Sequence, residues 1–148
     1  MNKATTLIRK HLEQYNPGSA ESFFLAHGLE MPWRQFPSEL QGGEKKYCYE
    51  NAYRLAMRSG LIYCEGMVLR NFPIPLSHAW CLDGEGFVVD PTLPDPEPGE
   101  IRTYFGVAFP LPFVTNLREQ IGQACISDDG GGRCPVATKY GNGDILLS

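Results

Sequence analysis

Residues 47–60 read YCYENAYRLAMRSG and open the most informative part of the chain, which continues through SHAWCL at 77–82 and FVVDPT at 87–92. In the first segment, small and apolar side chains recur at intervals of three and four residues, the spacing of one helix face. The residues on that face are Cys48, Ala52, Leu55, Ala56 and Ser59. We therefore predict a helix from about Tyr47 to Ser59, with Gly60 at its C-cap and Cys48 on the inward face of its first turn.

Beyond Gly60 the sequence pattern changes to a period of two residues. This alternation predicts strands at 61–69, 77–82 and 87–90. Asp83-Gly84-Glu85-Gly86 separates the last two strands and is typical of a hairpin turn. Helices followed by antiparallel strands predict an α+β domain, with the N-terminal helices packed on the sheet.

The flanking sequence predicts shorter elements. A helix at 4–15 ends at Asn16-Pro17-Gly18, and a second short helix follows with Ser19 or Ser22 as its N-cap. We further expect a loop at 31–43 that packs Trp33 and Phe36 inward, a strand at 101–109, a helix at 115–125 and an irregular glycine-rich tail at 127–148. The 148 residues fit a single domain, with its core between 41 and 125.

Cys48, His78 and Asp90 place a thiol, an imidazole and a carboxylate on three successive elements. A thiol is a good nucleophile only as the thiolate, which both a helix N-terminus and a neighbouring imidazole favour. A carboxylate beside the imidazole would fix its tautomer and orientation. We predict these three residues to be catalytic. The alternative for each alone is structural: a small core residue, a hydrogen-bonded core histidine and a strand end.

Strand geometry sets a condition on this site. Directly opposed residues of an antiparallel hairpin point to the same face of the sheet. His78 opposes Asp90 if the turn is centred on Gly84, whereas a two-residue turn at Asp83-Gly84 would place Asp90 on the other face. The assignment therefore depends on a hairpin centred on Gly84.

Three further residues are weaker candidates for oxyanion or substrate binding. The backbone N–H of Cys48 is one natural oxyanion donor, and Gln41 is a candidate side-chain donor or else only solvated. Glu65 either lines the cleft as a substrate contact or faces solvent. Trp80 shares the face of His78 by alternation, so it could wall the site, a role compatible with packing in the core.

The sequence motifs His78-Ala79-Trp80 and Asp90-Pro91-Thr92 resemble the second half of the transglutaminase-like core, which belongs to the papain-like cysteine fold. Gly42-Gly43 ahead of Cys48 is in addition similar to the nucleophile segment of arylamine N-acetyltransferases, although Glu44-Lys45-Lys46 intervene here. The resemblance covers about 41–92. It implies a nucleophile at Cys48, a general base and acid at His78 and an orienting carboxylate at Asp90. It also implies acyl-transfer chemistry, since members cleave, cross-link, deamidate or transfer acyl groups, and some have lost activity.

The amino-acid composition limits the classes of partner, compartment and cofactor that we expect for this protein. A net charge of −4 without a basic cluster argues against nucleic acid, and no apolar run approaches the ~18 residues of a membrane span. Five irregularly spaced cysteines without a secretory signal favour a reducing, cytoplasmic compartment over a disulfide framework. Zinc is the rival use of these cysteines, but Cys-x-x-Cys is absent, so we expect no metal and no cofactor.

Two functions follow as hypotheses. The first is a cysteine enzyme that acts on a protein, a peptide or a small acyl substrate through a thioester. The second is a catalytically inactive binding module of the same fold, in which the proline-rich segment 91–99 and Trp33 form a surface for a protein partner.

Overall fold

The computed structural model describes residues 2–37, 40, 42–44, 46–71 and 73–140, with the backbone alone for 138–140. This part of the chain forms five helices and five strands. In order they are α1 (Lys3–Leu12), α2 (Ala20–His27), β1 (Leu29–Met31), α3 (Cys48–Ser59), β2 (Ile62–Leu69), β3 (Leu76–Leu82), β4 (Val88–Val89), β5 (Thr103–Phe109), α4 (Leu111–Ile121) and α5 (Pro135–Tyr140). The predicted α+β class is confirmed.

The five strands form one antiparallel sheet in the order β1-β5-β2-β3-β4. The sheet curls until its two edges meet, because Trp33, just after β1, forms a parallel bridge with Val88 of β4. The N–H of Val88 donates to the carbonyl oxygen of Pro32 at 2.7 Å. This contact closes the sheet towards a small barrel.

Strand alternation divides the core between the two faces of the sheet. The larger cluster lies between the sheet and the helices, and it includes Leu55 of α3 and Tyr63 of β2. The smaller cluster lies on the other face, inside the curl, around Trp80 and Tyr104. Trp33 packs against the smaller cluster and Phe36 against the larger, as the sequence predicted.

The β3–β4 hairpin differs from the predicted register. Leu82 pairs with Val88 and Cys81 with Val89, so the turn is centred on Glu85 and the predicted centre at Gly84 is wrong. The Asp83 carbonyl oxygen accepts from the N–H of Gly86 at 3.1 Å, and Gly86 has a φ of 86°. A type I turn followed by a left-handed glycine adds the odd residue that sets this register.

Two elements are absent from the sequence prediction. The three-residue strand β1 falls partly in the segment expected to be a loop. The helix α5 falls in the segment expected to be an irregular tail, and the core contains Cys134 and Val136 from that segment. The C-terminal helix expected at 115–125 begins earlier, at Leu111, and ends at Ile121. Within the described residues, no helix is long and apolar enough to cross a bilayer.

Candidate active site

Three strand ends bring the candidate residues together at one end of the curled sheet. His78 lies near the start of β3, Asp90 directly follows β4, and Tyr104 is the second residue of β5. The Nε2 atom of His78 lies 2.8 Å from Oδ2 of Asp90, and both residues are buried. The observed pairing of β3 with β4 is shifted by two residues from the predicted one, so Asp90 remains on the same face of the sheet as His78. The shift makes Asp90 a diagonal neighbour of His78 instead of a directly opposed one.

Cys48 approaches His78 from the first turn of α3. Residue Cys48 is half-buried, and its interaction with the ring acts to raise the pKa of His78. Because Nε2 of the ring is engaged by Asp90, the nitrogen left for the thiol is Nδ1. On its β3 side, β4 pairs with Cys81 and Leu82 and does not extend to His78, so the edge of β3 at His78 is left for the start of the helix. The structure thus places a carboxylate, an imidazole and a thiol in a row.

The charges within this row reinforce one another. Burial lowers the pKa of His78, but its hydrogen bonds to Asp90 and Cys48 more than compensate and raise that pKa to about 9. Burial of Asp90 acts to raise its pKa, yet the hydrogen bond and the charge of His78 hold that pKa below its ordinary value. An imidazolium beside a carboxylate is therefore the favoured state of this pair at neutral pH.

Asp90 is held by four donors. Its Oδ1 accepts from the backbone N–H groups of Thr92 at 2.9 Å and Leu93 at 3.1 Å. Its Oδ2 accepts from the hydroxyl of Tyr104 at 2.7 Å, in addition to His78. Sequence reasoning missed Tyr104. Alternation along β5 gives a face for its side chain, but no local signal connects it with a carboxylate fourteen residues earlier.

A clamp of hydrogen bonds fastens two loops to the start of α3. The Asn51 side-chain amide donates to the carbonyl oxygen of Glu44 at 2.6 Å and to the Thr92 hydroxyl at 2.9 Å. The N–H of Gly43 donates to the carbonyl oxygen of Pro91 at 2.8 Å. We call this set of contacts the Asn51 clamp. It fixes the segment before the cysteine against the segment after Asp90.

The helix start also supplies the candidate oxyanion donor. Cys48 is the first residue of α3, and the N-cap residue Tyr47 makes no side-chain cap to the first-turn N–H groups. The backbone N–H of Cys48 is thus placed where an oxyanion beside its own thiol would lie. The other candidate donor, Gln41, lies outside the described residues. A cavity of about 540 Å³ adjoins this helix start, lined by Gly42, Gly43, Glu44, Tyr47, Glu50, Asn51, Arg54 and Arg58.

The prediction that Glu65 contacts substrate or faces solvent is wrong. Its side chain is fully buried on the helix-covered side of the sheet. It accepts hydrogen bonds from the backbone N–H groups of Ile126 and Ser127, both at 2.9 Å, and from the Tyr63 and Ser127 hydroxyls. Burial raises the pKa of this carboxyl, and the donors oppose that effect. Glu65 therefore anchors the C-terminal segment to the sheet.

Trp80 supports the site from inside the curl. Its ring centroid lies 6.1 Å from that of His78 and 5.0 Å from that of Tyr104, and the residue has no exposed surface. A substrate contact is excluded by this burial. The remaining prediction, that Trp80 walls the site and keeps water from the imidazole, agrees with this position.

No group of three or more histidine, cysteine or acidic side chains among the described residues could hold a metal ion, and all five cysteines are free thiols. Comparison of the chain with protein-family models, with curated proteins and with solved structures finds no match. The inference of function therefore depends on the residues and the geometry of the site.

Proposed function

We propose that this protein is a cysteine-nucleophile acyl-transfer enzyme that uses Cys48, His78 and Asp90 and forms a thioester intermediate. The observation that supports it best is the buried pair of His78 and Asp90, 2.8 Å apart, with the Cys48 thiol near enough to raise the pKa of the His78 ring. A histidine in a purely structural role needs neither a reactive partner nor a half-exposed thiol beside it.

The first half of the reaction forms the thioester. His78 starts as the imidazolium and holds the proton given up by the Cys48 thiol, so Cys48 attacks the carbonyl carbon of an amide or ester as the thiolate. The resulting oxyanion lies by the backbone N–H of Cys48. As the tetrahedral intermediate collapses, the bond to the leaving group breaks and His78 returns the proton to that group.

The second half of the reaction releases the acyl group. Neutral His78 takes a proton from water or from an amine, which attacks the thioester carbonyl. The carbon–sulfur bond breaks and Cys48 leaves as the thiolate beside a protonated His78. Throughout, Asp90 remains a carboxylate and orients the ring. Water gives hydrolysis or deamidation, and an amine gives transamidation.

We assign the fold to the papain-like, transglutaminase-like class. Three features support this assignment: a cysteine at a helix N-terminus, a histidine and an aspartate on neighbouring strands, and a curled antiparallel sheet. The substrate class is a protein, a peptide or a small acyl compound. Five free thiols fit the reducing, cytoplasmic compartment that we propose for it.

A thiol-directed acylating probe tests the nucleophile. We expect the probe to label one residue, and Cys48→Ala to abolish that labelling. Cys125→Ala is the matched control, because Cys125 is also half-buried but hydrogen-bonds to Glu65 and Ser127 instead of an imidazole. Persistent labelling of Cys48→Ala would place the nucleophile elsewhere.

Alkylation rates distinguish the enzyme hypothesis from the alternative, a catalytically inactive binding module. If the site is catalytic, Cys48 should react with iodoacetamide at neutral pH faster than Cys125, and His78→Gln should remove that advantage. If the two thiols react alike and His78→Gln changes nothing, the module is the better description. Trp33, part of the surface predicted for that module, is only partly exposed because it closes the sheet.

A further inference from the structure

The hydrogen bonds of Asp90 continue beyond the three proposed catalytic residues. The Tyr104 hydroxyl donates to Oδ2 of Asp90 at 2.7 Å, the same oxygen that lies 2.8 Å from the His78 ring. Tyr104 has no exposed surface. Its position is fixed on both sides, since it pairs with Met31 of β1 and Val68 of β2 in the sheet register. The phenol is therefore a fixed donor to the carboxylate.

Arg102 is a charged group that acts on this phenol. Its positive charge opposes the rise in the pKa of Tyr104 that burial and the Asp90 carboxylate cause. The Tyr104 hydroxyl keeps its proton and donates it to Asp90. The Arg102 side chain is 1% exposed, and its Nε donates to Glu100 at 2.9 Å.

The same arginine holds the loop that follows Asp90. One Nη atom of Arg102 donates to the carbonyl oxygen of Pro94 at 2.8 Å. The N–H groups of Thr92 and Leu93, from the start of this loop, bind the other oxygen of Asp90. Arg102 thus holds the loop whose N–H groups position Oδ1 of Asp90, and Tyr104 positions Oδ2.

We infer that Tyr104 and Arg102 are positioning residues of the active site, an inference that rests on the proposed function. They act through Asp90, which they hold in one orientation and keep ionised so that its carboxylate directs Nδ1 of His78 to the thiol. Neither residue touches the reacting atoms. The titratable and charged groups around Asp90, Tyr104 and Arg102 are His78 and Cys81 from β3, Cys48 from α3 through His78, Glu100 and Arg70.

The test is an acid titration of the His78 ring by NMR in protein labelled with ¹⁵N-histidine. The chain has three histidines, so His11 and His27 serve as internal references. Protonation of Asp90 breaks its pair with the ring, and the pH midpoint of that change is the readout. In Tyr104→Phe, Asp90 loses a donor, so the midpoint should rise by about one pH unit, a tenfold change in the protonation equilibrium. The proposed reaction should slow several-fold in kcat.

Tyr63→Phe is the matched control, because Tyr63 is equally buried and donates its hydroxyl to a different carboxylate, Glu65. We expect it to leave the midpoint unchanged. Arg102→Met retains the Tyr104 hydroxyl and should also raise the midpoint. If Tyr104→Phe does not fold, the result for Arg102→Met tests the inference by itself. An unchanged midpoint in folded Tyr104→Phe and Arg102→Met would overturn the inference, as would an equal rise in Tyr63→Phe. A wild-type protein that forms no thioester would defeat the proposed function, yet this titration would still be readable.

Discussion

The buried pair of His78 and Asp90 is the main electrostatic feature of this molecule. Two charges removed from water are tolerated when they are paired and when their remaining hydrogen-bonding groups are satisfied. Here Asp90 has four donors, one of them the His78 ring, which also interacts with Cys48. The stability of the fold should therefore depend on the ionisation of the proposed catalytic site.

This dependence predicts a window of maximum stability between two pH values. The folded-state pKa of His78 is about 9, above its ordinary value of 6.5, so its stabilisation is full below about 6.5 and is lost as pH rises through 9. A shift of this size corresponds to about 3 kcal/mol. The pKa of Asp90 is depressed, so its stabilisation is present above 3.8 and is lost at lower pH.

Urea unfolding from pH 3 to pH 10 measures this window. We expect the free energy of unfolding to fall on both sides of the neutral range in the wild type. The alkaline fall should be much smaller in His78→Gln, which lacks the titrating group. An alkaline limb of equal size in the two proteins would show that another group is responsible.

Glu65 gives a second prediction, because each of its carboxylate oxygens accepts one backbone N–H. Ile126 donates to Oε2 and Ser127 to Oε1. In Glu65→Gln, the side-chain NH₂ must face one of these two N–H groups whichever way the amide is turned. We expect a loss of about 2–4 kcal/mol in the free energy of unfolding, measured by urea denaturation. Glu85→Gln, on an exposed residue of the hairpin turn, is the control and should change stability by less than about 0.5 kcal/mol.

The contrast between these residues shows what the sequence can predict. Cys48, His78 and Asp90 were predicted to meet because each lies in an element with a clear local pattern, and the structure brings them together. Glu65 was wrongly expected at the surface or in the cleft, since its two backbone donors come from residues more than sixty positions later. A buried carboxylate depends on its partners, and distant partners leave no local signal.

Among the elements, the hairpin and the Asn51 clamp set the geometry of the site. The register of β3 and β4 keeps Asp90 on the face of His78, although the turn is not the predicted one. The face of Asp90 depends only on whether the loop has an odd or an even number of residues, because side chains along a strand alternate between the two faces. Helix α3 was predicted to within one residue of its observed start, since its apolar stripe and its C-cap glycine are both local features.

The clamp predicts that Gly43 cannot accept a side chain. A Cβ atom at this position would lie 2.0 Å from Oδ1 of Asn51, whose amide bonds Glu44 and Thr92. In Gly43→Ala the Asn51 side chain must move and lose these bonds. We expect a loss of about 2–3 kcal/mol in stability and a lower rate of acylation at Cys48.

The measurements are thermal unfolding and labelling by the acylating probe. Gly84→Ala is the matched control, because a Cβ atom at that exposed turn position meets nothing within 4 Å. It should retain wild-type values in both assays. If Gly43→Ala also retained them, the clamp would have no role in positioning the cysteine.

At the scale of the whole molecule, two features of the fold could not be predicted from the local sequence. β1 has only three residues, and its pairing with β5 rather than its own sequence makes it a strand. The segment 123–137 is rich in glycine and polar residues, yet the core contains Ile126, Cys134 and Val136 from it. Such segments are ordered by contacts that form only once the remaining chain has folded.

The last prediction is therefore that the C-terminal segment is part of the folded unit. Truncation after Gly122 removes three buried core residues and the backbone donors of Glu65. The expected loss is several kcal/mol, a large fraction of the ~5–15 kcal/mol that stabilise a typical domain. Circular dichroism should show a strongly lowered or non-cooperative melting transition. As a control, a Gly-Gly-Ser insertion between Gly131 and Gly132 lengthens the same segment at an exposed position and should cost less than about 1 kcal/mol. If the truncated chain melted like the wild type, the segment would be a tail after all, and the contacts of Glu65 would contribute nothing to the fold.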